Sequence, residues 1–194
     1  QALDLPIRPN YWDFQLKTTT KINAKTTFNV IGIGAIDEFS FAAPKEATPE
    51  KLYAINSSPN INQWSYTIGA SLRRLTNNGY WNLALSRNTL DNSAEKYEDN
   101  QDPQPTEQTL RVQSRETENK LRFDVTNNFD GWKLSYGAVA QLVQFDNSFS
   151  QRFRAPQYDA NGTLVAPAKI ISSFTDANFL RYGAFVQAGK RILN

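Results

Sequence analysis

Residues Arg115 to Asp146, RETENKLRFDVTNNFDGWKLSYGAVAQLVQFD, alternate polar and apolar side chains over two long runs separated by a turn. In the first run Glu116, Glu118, Lys120, Arg122, Asp124 and Thr126 hold one set of alternate positions, while Leu121, Phe123 and Val125 hold the other. After Asn127-Asn128-Phe129-Asp130-Gly131 the pattern resumes, with Trp132, Leu134, Tyr136, Ala138, Ala140 and Leu142 on one side and Lys133, Ser135, Gly137 and Gln141 on the other. A two-residue period is that of a β-strand, whose successive side chains point to opposite faces. The runs exceed the roughly 5–6 residues of most soluble strands and reach the about 9–11 that cross a bilayer at a tilt. Trp132 opens its strand and Phe145 stands near its end, where rings sit at the two interfaces of a transmembrane barrel. The hairpin therefore reads as a piece of barrel wall with one lipid-facing side.

The same reading extends along the chain. Strands are expected at Tyr11–Ile22, Thr26–Glu38, Gln63–Leu75, Tyr80–Leu90, through the hairpin, and at Ala177–Lys190, with Gln1–Asn10 as the end of a loop. The outward sets are Trp12, Phe14, Leu16 and Ile22; Trp64, Tyr66, Ile68, Ala70 and Leu72; Trp81, Leu83 and Leu85; and Leu180, Tyr182, Ala184, Val186 and Ala188. In Thr26–Glu38 the set Phe28, Val30 and Ile36 competes with Ile31 and Ile33, and Gly32 and Gly34 point to a bend or a close backbone approach. Connections alternate between short, at 23–25, 77–79 and 127–131, and long, at 39–62, 91–114 and 147–176. Asn77-Asn78-Gly79 is a hairpin signal through its tolerance of positive φ, and Asp159-Ala160-Asn161-Gly162 marks a turn able to cap a small hairpin of its own.

Short turns at one end and long loops at the other are the asymmetry of bacterial outer-membrane barrels. It puts Trp12, Trp64 and Phe145 near the outer interface and Phe28, Trp81 and Trp132 near the periplasmic one. Seven strands with open edges leave N–H and C=O groups unpaired where lipid offers no water. The expected fold is accordingly all-β, an antiparallel transmembrane β-barrel in which residues 1–194 supply about seven meandering strands of a larger barrel.

Composition narrows the function. The chain has no cysteine and no histidine, which leaves no disulfide framework, no thiolate or imidazole metal site and no His-dependent triad. No run of about 18 apolar residues is present, so a membrane-spanning helix is excluded. A net charge of +2, with aromatics not interleaved with basic clusters, gives no case for nucleic acid. A chain that begins with Gln1 and holds no methionine reads as a processed chain or an internal fragment.

The words YWDFQLKTTTKINAKTTFNVIGIGAIDEFSF, QWSYTIGASLRRLTNNGYWNLALSRN and ENKLRFDVTNNFDGWKLSYGAVAQLVQFDN carry a family likeness. With the GxGAID strand end, the QWSY strand, the NGYWNxALSRN hairpin and the SRExExKLR strand, the chain resembles the mid-barrel of TonB-dependent outer-membrane receptors of the Bacteroidetes type. The resemblance implies a 22-stranded barrel closed by an N-terminal plug, importing a scarce nutrient such as a metal chelate, vitamin, glycan or peptide with energy relayed by TonB. It implies outer-membrane lipid as a partner, a plug domain and TonB reached through the rest of the receptor, and leaves room for a surface lipoprotein. It implies no catalytic centre, cofactor or metal. No plug, TonB box or aromatic-terminated last strand is found in these residues, so energy coupling is an expectation for a parent protein.

The row Glu116, Glu118, Lys120, Arg122 and Asp124 is expected to face the lumen, where it packs on the plug, lines a substrate path or pairs across strands with neighbours such as Lys133. Its carboxylates have no nucleophile or histidine with which to do acid–base chemistry. Glu95, Glu98, Asp99 and Asp102 offer oxygens of the kind Ca²⁺ takes, without the spacing of an EF-hand, and are expected in a solvated, mobile loop. Phe39, Phe41, Tyr53, Phe149, Phe153 and Tyr158 are expected in outer loops; Phe153 and Tyr158 are candidates for contact with a ligand or partner, with loop self-packing as the alternative. Two rival functions stay open. One is a soluble all-β ligand- or carbohydrate-binding module, since a sheet with one face on a core also alternates. The other is a barrel enzyme, which the absence of histidine opposes.

Overall fold

In the computed structural model, which describes residues 7–42 and 46–190, the hydrogen-bonding groups of the main chain are spent on one antiparallel ladder. Its strands are β1 (Ile7–Asn23), β2 (Thr26–Phe41), β3 (Asn60–Thr76), β4 (Gly79–Tyr97), β5 (Gln108–Phe129), β6 (Trp132–Arg154) and β9 (Lys169–Lys190). They pair in the order β1-β2-β3-β4-β5-β6-β9, and a separate hairpin, β7 (Gln157–Tyr158) and β8 (Leu164–Ala166), caps the β6–β9 connection. One helix, α1 (Pro49–Ser57), lies between β2 and β3. The meander is all-β as expected, but the sheet does not close on itself: β1 and β9 are its edges. The expected loop at Gln1–Pro6 lies outside the described residues, and Ile7–Asn10 already belong to β1.

The turns show why the hairpins form where they do. Phe129 pairs with Trp132, so the β5–β6 turn is Asp130-Gly131 alone, with φ of 46° and 73°. Two consecutive left-handed residues give the turn whose twist matches that of the flanking strands. The Asn77-Asn78 turn is different. Thr76 pairs with Gly79, and no positive φ occurs there, so the glycine is not used for the freedom the sequence implied. It is used for space: a Cβ on Gly79 would run into the carbonyl of Thr126 and stand 3.0 Å from Asn127 Cα. Neighbouring turns are also tied together, Leu75 N donating to Lys25 O at 2.7 Å and Asn128 N to Asn78 O at 2.6 Å.

The register decides which residues share a face. Phe28, Val30 and Ile36 lie opposite Leu72, Ala70 and Trp64, which puts them with the outward set and sends Ile31 and Ile33 to the other side. Gly32 and Gly34 meet only ordinary contacts, so neither a bend nor a backbone approach requires them. One row across the sheet reads Thr18, Val30, Ala70, Leu85, Leu121, Ala140, Tyr182, and the next reads Thr20, Phe28, Leu72, Leu83, Phe123, Ala138, Ala184. The result is a continuous apolar field on one face. Phe145 is a correction: it pairs with Glu116 and stands on the polar face, because it is an odd number of residues from Leu142. The other five aromatics expected at the interfaces, Trp12, Phe28, Trp64, Trp81 and Trp132, share the apolar face.

Among the described residues only Ala42, Ile55 and Val143 are buried apolar side chains. The sheet is therefore a single layer, with large side chains such as Leu85 (59% exposed) and Leu142 (57%) uncovered. The long loops foreseen at 91–114 and 147–176 are mostly strand, since β4 runs to Tyr97, β5 starts at Gln108, β6 runs to Arg154 and β9 starts at Lys169. There the apolar residues are few and fall on both faces, Val112 and Phe149 on one and Ile170 and Phe174 on the other, so no single stripe marks the strands, and the ladder defines them. The Asp159–Gly162 turn does cap a small hairpin, with Asp159 Oδ1 accepting from Asn161 N (2.9 Å) and Thr163 N (2.8 Å).

Gly79→Ala should cost about 1–3 kcal/mol through overpacking against the β5 backbone, read as a lower urea midpoint; an unchanged midpoint would show that the strands can separate there freely.

Candidate functional site

The charged row on β5 sits on the polar face, where alternation placed it, but it pairs differently. Lys120 Nζ reaches Glu118 Oε1 at 2.8 Å, and Arg122 Nε donates to both Asp124 oxygens at 2.9 Å. These are neighbours two apart on one strand, not partners across strands. Lys133 cannot take part, because the register sets it opposite Asn128, while Asp124 faces Gly137 and Asn82. Directly opposite the row stand Asn88, Ser86, Ala84 and Val143, Gln141, Val139, none of them a counter-ion. Among the described residues Glu116 has no cationic partner. Lys120, Arg122 and Asp124 line an open depression of about 470 Å³ with Phe185 and Gln141.

The second assembly is at the long-connection end, and no pattern in the sequence marks it. Thr48 caps α1 by accepting from Lys51 N at 3.4 Å, and Pro49 fills the first turn where its missing N–H costs nothing. Ile55 of α1 is fully buried. Asn100, from the β4–β5 connection, clasps the helix end: its Nδ2 donates to Ile55 O and Ser58 O at 2.8 Å each, and its N–H donates to Asn56 Oδ1 at 3.0 Å. Its Oδ1 accepts from Tyr97 N at 2.8 Å. The β6 end joins the same assembly, since Arg152, with its side chain 8% exposed, pairs with Glu98 and donates to Thr106 O at 3.4 Å. The β2–β3 and β4–β5 connections and the end of β6 are thus held to one another.

This disposes of the four acidic residues one by one. Glu95 lies in β4 and accepts from Tyr97 Oη at 3.2 Å, Glu98 takes Arg152, Asp99 accepts from Gln101 N at 2.9 Å, and Asp102 accepts from Gln104 Nε2 at 3.1 Å. Among the described residues no three His, Cys, Asp or Glu side chains converge as a metal site. Partial burial pushes the Tyr97 phenol above its ordinary range, and the Glu95 carboxylate adds to the effect, so the phenol remains a donor.

The aromatic candidates are scattered over these elements. Phe39 and Phe41 belong to β2 and pack edge to face at 5.3 Å, Tyr53 projects from α1, and Phe149 is in β6. Phe153 is likewise in β6, not in a loop, at an irregularity where Arg152 pairs with Ile170 and Arg154 with Lys169. It is 60% exposed, and Tyr158, in the small hairpin, is 62% exposed. No contact joins the two rings into one site.

At the upper border of the apolar field Arg115 is fixed by Asp91 at 2.7 Å and stands over the Trp64 ring at 5.5 Å, with Asp91 buried. Beside it Arg87 donates to Tyr66 Oη at 3.0 Å and to Asn119 Oδ1 at 3.2 Å, and Thr89 and Thr117 share a hydrogen bond of 3.2 Å. Comparison with protein-family models, with curated proteins and with solved structures returned no match.

Asn100→Ala should remove about 1–3 kcal/mol of local stability by taking a donor from the Ser58 carbonyl and leaving Ile55 O only the Ser58 N–H, seen as faster amide exchange confined to 52–58; unchanged exchange would show that α1 is held by Ile55 burial alone.

Proposed function

We propose that the chain is an arc of the wall of an outer-membrane receptor of the TonB-dependent type, a barrel that imports a scarce nutrient and has no catalytic centre of its own. The observation that carries this is the apolar field itself, uncovered on one face of seven long strands and sloping across them. On β1 it spans Trp12 to Ile22 and centres on Lys17, whose row runs through Ile31, Gly69, Ser86 and Lys120 to Gln141. On β6 it spans Trp132 to Leu142, so its centre has moved four residues down the strand from Gln141 over five strand spacings. At about 3.3 Å per residue and about 4.8 Å between strands, the field crosses the strands at roughly 30°. Strands of outer-membrane barrels tilt by about 35–45° behind a level apolar band, so the slope is of the order that a tilted barrel wall requires.

In this reading the apolar field meets lipid, and the row Glu116 to Asp124 faces the lumen. The Ala24-Lys25, Asn77-Asn78 and Asp130-Gly131 turns point to the periplasm, while α1 and the connections tied to it lie outside the cell. Further strands complete the edges at β1 and β9, and the plug and TonB act through other parts of the receptor. A soluble binding module is disfavoured by the single layer, because a sandwich needs a second sheet about 10 Å away to cover its apolar face, and none covers it among the described residues.

Arginine at Leu83, central in the field, should cost about 2–4 kcal/mol in the lipid-embedded protein. Arginine at Leu134, near its turn-side border, should cost less, and at Asn82 on the opposite face little. Urea titration in liposomes reads all three, and equal tolerance at Leu83 and Asn82 would refute the face assignment. A monomer that stays soluble without detergent would refute the membrane reading itself.

A further inference from the structure

The sheet does not stop where the apolar field stops. On β5, β6 and β9 the same face continues upward through polar residues, and one row there joins Gln113, Ser148 and Phe174, while the row below joins Arg115, Asp146 and Asp176. Phe174 is 72% exposed, a bare ring whose row-mates Gln113 and Ser148 are polar. A cleft of about 260 Å³ lies on one side of it, lined by Gln113, Arg115, Asp146 and Ser148, and a second, more open depression lies on the other.

We infer that this platform binds a saccharide, with Phe174 stacking on one face of a pyranose ring and Gln113, Asp146 and Ser148 holding its hydroxyls. The π face of an aromatic ring is negative and attracts the polarised C–H hydrogens that line one side of a sugar. An amide, a carboxylate and a hydroxyl supply both donors and acceptors. None of these three side chains makes a hydrogen bond or ion pair within the protein among the described residues, so all are free for a ligand. Charge decides against an anion. Arg115 is already spent on Asp91, and Asp146 and Asp176 stand directly opposite each other with the same sign. The group seated on Phe174 is therefore a neutral sugar ring and not a phosphate, and any acid or phosphate elsewhere on a glycan lies off this row.

The location rests on the barrel-wall reading, under which this face looks away from the lumen just above the lipid. The sugar therefore comes either from the headgroup of a membrane glycolipid or from a soluble glycan. The test uses the intact detergent-solubilised protein and saturation-transfer NMR with three probes: a rough lipopolysaccharide, its deacylated core oligosaccharide, and maltohexaose. Saccharide protons should show transfer from at least one probe, and Phe174→Ala and Asp146→Asn should each weaken that binding tenfold or more. Both positions lie on the exposed face of paired strands, and unchanged thermal unfolding of the variants confirms that they fold.

Binding of both lipopolysaccharide and its core assigns a glycolipid source, and binding of maltohexaose alone assigns a soluble one; either supports the site. Binding of the intact lipopolysaccharide without its core, no binding of any probe at millimolar concentration, or full binding by Phe174→Ala overturns it. Failure of the barrel reading shows separately, as a protein that remains monomeric without detergent.

Discussion

Everything in this molecule hangs on the main-chain ladder. With almost no apolar side chain buried, the sheet gains little from a core of its own, and its order comes from strands that satisfy each other's N–H and C=O groups over 16 to 23 residues. Register is the immediate product, and the faces follow from register. A slip of one residue between any two strands would exchange the apolar field with the polar row. The two-residue turns, Gly79 pressed against the β5 backbone, and the turn-to-turn hydrogen bonds at Lys25 and Asn78 are the places where that register is fixed.

The sequence was legible wherever one face differed from the other. The hairpin, the seven-strand meander, most of the faces and the alternation of short and long connections could be read, because apolar residues at a period of two all fall on one face of a strand. Where neither face is consistently apolar the signal vanishes, and the upper thirds of β4, β5, β6 and β9 read as loops. The helix α1 escaped for another reason: nine residues with a single buried side chain, Ile55, make no periodic stripe, and Asn100, which holds them, is 45 residues away from Ile55 in the chain. Phe145 was a matter of parity, placed by height and not by side.

The charged residues teach a related point. Opposite charges on one face invite the idea of cross-strand pairs, yet Lys120 and Arg122 settle on carboxylates two positions along their own strand because the strands beside them offer only neutral side chains. A pair of this kind does nothing to hold two strands together. It leaves the neighbouring polar groups free to meet whatever fills the space in front of the sheet. Asn100 and Arg152 work in the opposite way, each joining elements far apart in sequence, and both lie at the long-connection end.

The strands are also unequal. β2 and β3 are 16 and 17 residues long, while β4, β5 and β6 are 19 to 23. Part of that difference falls at the upper rim, which steps up from β3 to β4, since β4 runs two residues past Glu95, the partner of Asn60. α1 leaves from the low side, at β2 and β3, and is fastened to the first tall step, at the end of β4. The helix works as a riser that fills the change in height, so shortening it would open a notch in the rim sideways instead of merely trimming a loop.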